Sequence, residues 1–226
     1  MPKYPCIPDQ ILTFHNEDKT FHEKTPSNGL MTHPYTAIIT GKVGCGKRNL
    51  VFNIVAREKD GFDRIIIVHL DIETQEYNIL TDHGAELTDV IPNFDEFDVD
   101  EKTLVIIDEI DVSALKKDEL SRLQRLFLYC ASHRNLSLFL VFQQIMDIPP
   151  KIRRSAMHYF VFKTNDKNVY TMLASRLSLP TEDLKYIMKN IITDNHDFLW
   201  VNMSKFDENG YPELRKNLFH KIILDG

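Results

Sequence analysis

The run Gly41-Lys42-Val43-Gly44-Cys45-Gly46-Lys47-Arg48-Asn49 sets three glycines ahead of Lys47. Glycine tolerates positive φ and close backbone approach, so such a run can turn successive N–H groups toward one anion. Apolar residues Ala37-Ile38-Ile39-Thr40 precede it and Leu50-Val51-Phe52-Asn53-Ile54-Val55 follow it. A strand, a glycine-rich turn and a helix bring those N–H groups to a helix N-terminus, where a phosphate is held and Lys47 reaches the β- and γ-phosphates. The next position ordinarily carries a Ser or Thr whose hydroxyl ligates Mg²⁺. Here it is Arg48.

A second group is Thr103-Leu104-Val105-Ile106-Ile107-Asp108-Glu109, an apolar run ending in two acids. At the carboxyl end of a strand in an open α/β sheet, such acids face the ligand crevice. Asp108 would hold Mg²⁺, usually through water, and Glu109 would polarise an attacking water. A third run, Leu136-Ser137-Leu138-Phe139-Leu140-Val141-Phe142, ends in Gln143-Gln144. Gln143 either senses a γ-phosphate or merely begins a loop. The basic set His133-Arg134 and Lys151-Ile152-Arg153-Arg154 flanks that strand and its exit. A fixed guanidinium can neutralise charge on a transferred phosphoryl group, often from a neighbouring subunit, but ordinary surface arginines look the same in sequence.

The elements that must position these groups are legible as alternating apolar runs and helical stripes. The runs Thr36–Thr40, Arg64–Leu70, Thr103–Asp108, Ser137–Gln143 and Tyr159–Lys163 are apolar on successive positions, as strands covered on both faces are. Their alternation with helices predicts a parallel α/β sheet. Leu120, Leu123, Phe127 and Cys130 form one helical stripe, with Lys116, Lys117, Arg122 and Arg125 as solvated charges or DNA-backbone contacts. Val169, Met172, Leu173 and Leu177 form another, and Leu184, Ile187, Met188 and Ile191 a third behind Pro180-Thr181-Glu182-Asp183. A helix is expected around Thr74–Leu80 within an otherwise unassigned acidic stretch, 71–100, whose acids Asp95, Glu96, Asp98, Asp100 and Glu101 read as a solvated loop. A strand is expected at Phe198–Asn202, and the tail from Pro212 to Gly226 is mixed.

The division expected is a proline-bearing arm or lead-in over residues 1–34 and one nucleotide-binding domain over 35–226. At 226 residues, with 43% hydrophobic and 27% charged residues, the chain can bury one sizeable core. A net charge of −6 gives no global attraction to nucleic acid and excludes none locally. Cys6, Cys45 and Cys130 are scattered, which argues for a reducing compartment and against a zinc cluster. His15, His22 and His33 match no ligand spacing and read as solvated. No apolar run approaches membrane-spanning length, so a soluble intracellular protein is expected.

Taken in order, the loop 41–49, the Asp108-Glu109 strand, Ser132-His133-Arg134-Asn135-Leu136-Ser137 leading to Gln143, and Ile148-Pro149-Pro150-Lys151-Ile152-Arg153 leading to Tyr159–Lys163 resemble the viral genome-packaging ATPases of the FtsK/HerA superfamily. More narrowly they resemble the compact versions in poxvirus-like large DNA viruses and in virophage or Polinton-like elements. The resemblance implies an additional-strand (ASCE, RecA-like) P-loop NTPase fold, a mainly parallel sheet flanked by helices with the fourth strand between the first and third. It implies ATP and Mg²⁺ as cofactors and Gln143 beside the γ-phosphate. It further implies a homo-oligomeric ring, pentameric or hexameric, that translocates double-stranded DNA into a capsid through its portal or vertex, in the host cell or with the virion. Arg153 takes the position of the trans-acting finger, with Arg154 second and Arg134 third. Two departures stand: Ser155 where an Asn is frequent, and Arg48. Arg48 either points outward, acts as an internal counter-charge, or is an introduced change, and with the Mg²⁺-binding hydroxyl gone a nucleotide-binding but non-hydrolysing assembly subunit is the alternative reading. A P-loop kinase, the third, is disfavoured by the adjacent acids.

Overall fold

The computed structural model describes residues 6–8, 30–58, 61–206 and 210–223. In chain order these form β1 (Cys6–Pro8), β2 (Thr36–Thr40), α1 (Lys47–Val55), β3 (Arg64–His69), α2 (Asn78–Thr81), β4 (Glu86–Thr88) and β5 (Thr103–Asp108). There follow α3 (Lys117–His133), β6 (Leu136–Phe142), α4 (Pro150–Ser155), β7 (His158–Phe162), α5 (Lys167–Leu177), α6 (Thr181–Asn190), β8 (Phe198–Phe206), β9 (Pro212–Lys216) and β10 (His220–Ile222). All of these strands lie in a single sheet, in the order β1-β10-β9-β8-β7-β2-β6-β5-β3-β4.

From β7 to β4 the neighbours pair in parallel, with β6 between β2 and β5. This is the insertion expected of the additional-strand class. It aligns the carboxyl ends: Thr40 lies beside Phe142 and Asp108 beside Val141. Successive side chains alternate between two cores. Ile38, Val105, Ile107, Leu138 and Leu140 pack with Leu123 and Phe127 of α3, Ile152 of α4, Leu173 of α5 and Leu184 of α6. Ala37, Ile39, Leu104, Ile106, Phe139 and Val141 pack with Leu50, Val51 and Ile54 of α1. Burial on both faces explains why these strands read as unbroken apolar runs.

The structure departs from expectation in three places. The helix expected around Thr74–Leu80 is one turn, α2, and the stretch around it adds the short parallel strand β4. Burial of Tyr77 and Leu80 rather than a helical stripe holds this segment. The described part of the tail is not mixed but forms β9 and β10, which extend the sheet antiparallel beyond β8. His33 is not solvated: its ring contacts Asn135 Oδ1 and Ser137 Oγ, each at 2.7 Å. His15 and His22 lie outside the described residues, as does most of the lead-in, of which β1 pairs with β10.

Candidate nucleotide site

The loop after β2 is shaped by two left-handed glycines, Gly44 (φ 75°) and Gly46 (φ 102°), the second capping α1. Gly41 is required for a different reason. A Cβ there would lie 2.6 Å from both Phe162 Cβ and Cys45 Sγ, so the loop can lie against β7 only without a side chain. Lys47 is buried, and its Nζ donates to the carbonyls of Gly41 (2.9 Å) and Lys42 (3.1 Å), curling the loop around the ammonium. Cys45 is buried under the loop, while Lys42, Val43, Gly44 and Asn49 are exposed on it.

Backbone hydrogen bonds hold the neighbouring strand ends to this loop. Gly41 N donates to Phe142 O (3.3 Å), the Thr40 hydroxyl donates to Gln143 O (3.3 Å), and Glu109 N donates to Val141 O (3.4 Å). Gln143 thus stands exposed between the loop and the acidic pair. Asp108 is fully buried at the end of β5, and Glu109 follows in the left-handed region at φ 55°. A non-glycine residue held there stores strain that commonly accompanies a functional position.

Arg48 does not point outward. Its Nε donates to Asp108 Oδ2 at 2.7 Å, Nη1 lies 2.8 Å from Glu76 Oε2, and Nη2 lies 2.9 Å from Glu109 Oε1. The last approach is off the N–H direction, an ion pair rather than a hydrogen bond, and leaves Nη2 buried without an acceptor. Tyr77 donates from its hydroxyl to the same Asp108 Oδ2 at 2.8 Å, while Asp108 Oδ1 is buried with no partner. Burial works against the Arg48 cation, but Asp108, Glu109 and Glu76 more than offset it and its pKa rises. Burial lifts the Asp108 carboxyl above its ordinary range, only partly opposed by Tyr77 and Arg48, and burial beside Asp108 likewise pushes the Tyr77 phenol up.

Three residues of this cluster carry no sequence signal. Glu76 and Tyr77 come from the polar stretch after β3, and His69 ends β3 with Nε2 buried, unbonded and 3.7 Å from Glu109 Oε2. His196 is another: its Nδ1 meets Cys45 O at 3.1 Å, so the turn before β8 braces the loop. Only adjacency in the fold identifies these four.

The candidate fingers lie elsewhere. Arg153 sits on α4 with Nη1 3.1 Å from Met146 Sδ, and Arg154 is exposed beside it. Arg134 stacks 5.1 Å over Phe94 just before β6, at the opposite end of the sheet from the loop. Among the described residues none of the three pairs with the acids of its own site, and the structure brings only Gln143, Asp108, Glu109 and the loop together.

No protein-family model matches the sequence, and no curated protein matches it. Solved structures do match in shape. The genome packaging NTPase B204 from Sulfolobus turreted icosahedral virus 2 with AMPPCP superposes at TM-score 0.59 and 18% identity, covering 82% of this chain and 99% of that one. Its complex with ATPγS gives 0.57 at 18% identity over 83% and 100%. The pCW3 conjugation coupling protein TcpA with ATPγS gives 0.55 at 12% identity over 100% and 67%. The fold is that of a P-loop ATPase. At these identities the likeness is one of fold.

The magnesium ion that this fold implies does not fit the donor set as arranged. The hydroxyl that would ligate the ion is absent at position 48, and the acid that would hold the metal water already carries a guanidinium on one oxygen. A divalent ion held by Asp108 would also face that guanidinium, whose repulsion offsets part of the attraction of the surrounding acids. Among described residues, His69, Glu76 and Glu109 bring ligand atoms within 4.8 Å of one another, but both glutamates are already paired with Arg48.

Proposed function

We propose that the chain is a nucleotide-driven subunit of a motor that moves double-stranded DNA into a viral capsid, a packaging ATPase of the FtsK/HerA superfamily and of the poxvirus-like, virophage or Polinton-like type. The observation that carries this reading is the convergence of Lys47, Asp108, Glu109 and Gln143 at the carboxyl ends of β2, β5 and β6, in a fold shared with B204, a genome packaging NTPase whose structure is in complex with AMPPCP. In this reading the loop 41–49 holds ATP, Lys47 meets its β- and γ-phosphates, Glu109 orients the attacking water and Gln143 senses the γ-phosphate. Asp108, with one orphan oxygen, anchors the cation side of the site. Residues 35–226 form the ATPase domain and residues 1–34 an arm. Arg153, with Arg154 and Arg134 behind it, enters a neighbour's site in a pentameric or hexameric ring seated at a capsid portal or vertex. No described helix is long and apolar enough to cross a membrane. A location within the host cell or on the virion fits.

A carboxylate committed to Arg48 is not free to hold water, so turnover requires Glu109 to leave the guanidinium. Glu109→Gln is expected to retain ATP binding while phosphate release falls by about 100-fold or more. Undiminished turnover would sink the assignment.

The contacts of Arg48 favour a second reading, a nucleotide-binding assembly subunit that does not hydrolyse. It predicts no DNA-stimulated phosphate release from the native chain and a gain of it in Arg48→Thr.

A further inference from the structure

Arg48 occupies the place where the fold ordinarily seats its metal, with its guanidinium among three carboxylates. Nε, Nη1 and Nη2 each face a different carboxylate, those of Asp108, Glu76 and Glu109. A planar guanidinium has five N–H donors in a fixed fork, and three acids account for at most three of them. The structure also leaves two buried orphans in this cluster: Nη2 lacks an acceptor, and Oδ1 of Asp108 lacks a donor. The side chain springs from the first turn of α1, next to Lys47, so the fork lies between the acids and the phosphate loop.

We infer that Arg48 is the resident cation of this site and that the chain takes a nucleoside triphosphate without a divalent ion. The inference rests on the proposal that the loop binds nucleotide. Free N–H groups of the fork complement phosphate oxygens, as guanidinium groups do in bidentate phosphate contacts. Lys47, the N-terminus of α1 and the backbone of the loop supply the remaining positive potential. The acids hold the fork in place, with Tyr77 donating to the same Asp108 oxygen and its ring centre 5.8 Å from the guanidinium carbon. A metal at the alternative set His69, Glu76 and Glu109 would have to expel the same guanidinium from two of its partners.

The test measures affinity for a fluorescent, non-hydrolysable ATP analogue in excess Mg²⁺ and in excess EDTA, using the full native chain. The two dissociation constants are expected to agree within about twofold. In Arg48→Thr, which restores the hydroxyl and removes the cation, EDTA should weaken binding by about tenfold or more. Electron paramagnetic resonance with Mn²⁺ gives an independent reading. The native chain with the analogue should hold no Mn²⁺, and Arg48→Thr should hold one ion per chain. Native binding that falls by about tenfold or more in EDTA, or Mn²⁺ held by the native chain, overturns the inference while leaving the nucleotide site intact. Absence of binding under both conditions overturns the nucleotide reading itself and the inference with it. Should Arg48→Thr fail to fold, the native measurements alone decide.

Discussion

The parallel strands bury polar groups at both ends, and the two ends do so differently. At the carboxyl end they are ions: buried Asp108 holds the partly buried Arg48, which also reaches the exposed Glu76 and Glu109. At the amino end they are neutral. His33 links Asn135 to Ser137, Ser137 accepts from Tyr35 N at 3.0 Å, and the Trp200 indole donates to His158 Nδ1 at 3.4 Å. A neutral network fixes register at modest cost when every partner is present. A buried charge is retained at much greater cost, which points to a ligand at that end.

The largest break in this contrast is expected at Arg48. Arg48→Ala leaves Asp108 buried without a cationic partner, and unfolding by chemical denaturant should show a loss of about 3 kcal/mol. Cutting the neutral end at Ser137→Ala should cost only about 1 kcal/mol. Equal losses would erase the distinction between the two ends.

The parallel strands and the phosphate half of the charged end are legible in the sequence for different reasons. The neutral network is not, because His33 reads as a solvated histidine until β6 brings Asn135 and Ser137 to it. Runs such as Leu136–Phe142 declare a doubly covered strand because burial on both faces removes any polar alternation, and Gly41–Lys47 declares its turn because the backbone there tolerates little else. Asp108 and Glu109 were legible as the acids that end such a run. Glu76, Tyr77 and His69 were not, because each is an ordinary residue in a polar stretch until β3 and β5 lie side by side. The alternatives for Arg48 could not be separated without Glu76, which lies far from it in sequence but 2.8 Å away in the fold. β9 and β10 leave no strand pattern in the sequence because each is short and only partly buried, with charged residues interleaved.

A smaller effect sharpens the account of the charged end. Tyr77→Phe removes the hydroxyl that shares Asp108 Oδ2 with Arg48 and leaves the ring packing largely in place. A hydrogen bond to a buried charged group is worth about 1.5–2 kcal/mol, so stability should fall by that amount. The accompanying change in nucleotide affinity tells whether Tyr77 merely holds Asp108 or sets the pose of the fork. An unchanged stability would mean that Asp108 relies on Arg48 alone.

The smallest effect is a dependence on pH, and there the two ends have opposite signs. Burial lowers His158 from 6.5 to about 3, with Glu213 opposing and Lys205 assisting. Its Nδ1 accepts from Trp200, a role open only to the neutral ring. As pH falls below 6.5 the unfolded chain takes up a proton that the folded chain refuses, so stability drops, by about 1 kcal/mol between pH 6.5 and 5.5. Burial also lowers His33, which adds to the same slope. Asp108 acts the other way: its raised pKa makes the folded chain bind a proton first, so its contribution improves with acid and is lost as pH rises through the folded value. Denaturation of native and His158→Gln chains across pH 4–7 separates the terms. The difference between them should carry the histidine slope, and what remains in the variant should be shallower or reversed as the charged end takes over. A native slope unchanged by His158→Gln would place the acid sensitivity elsewhere than in the neutral network.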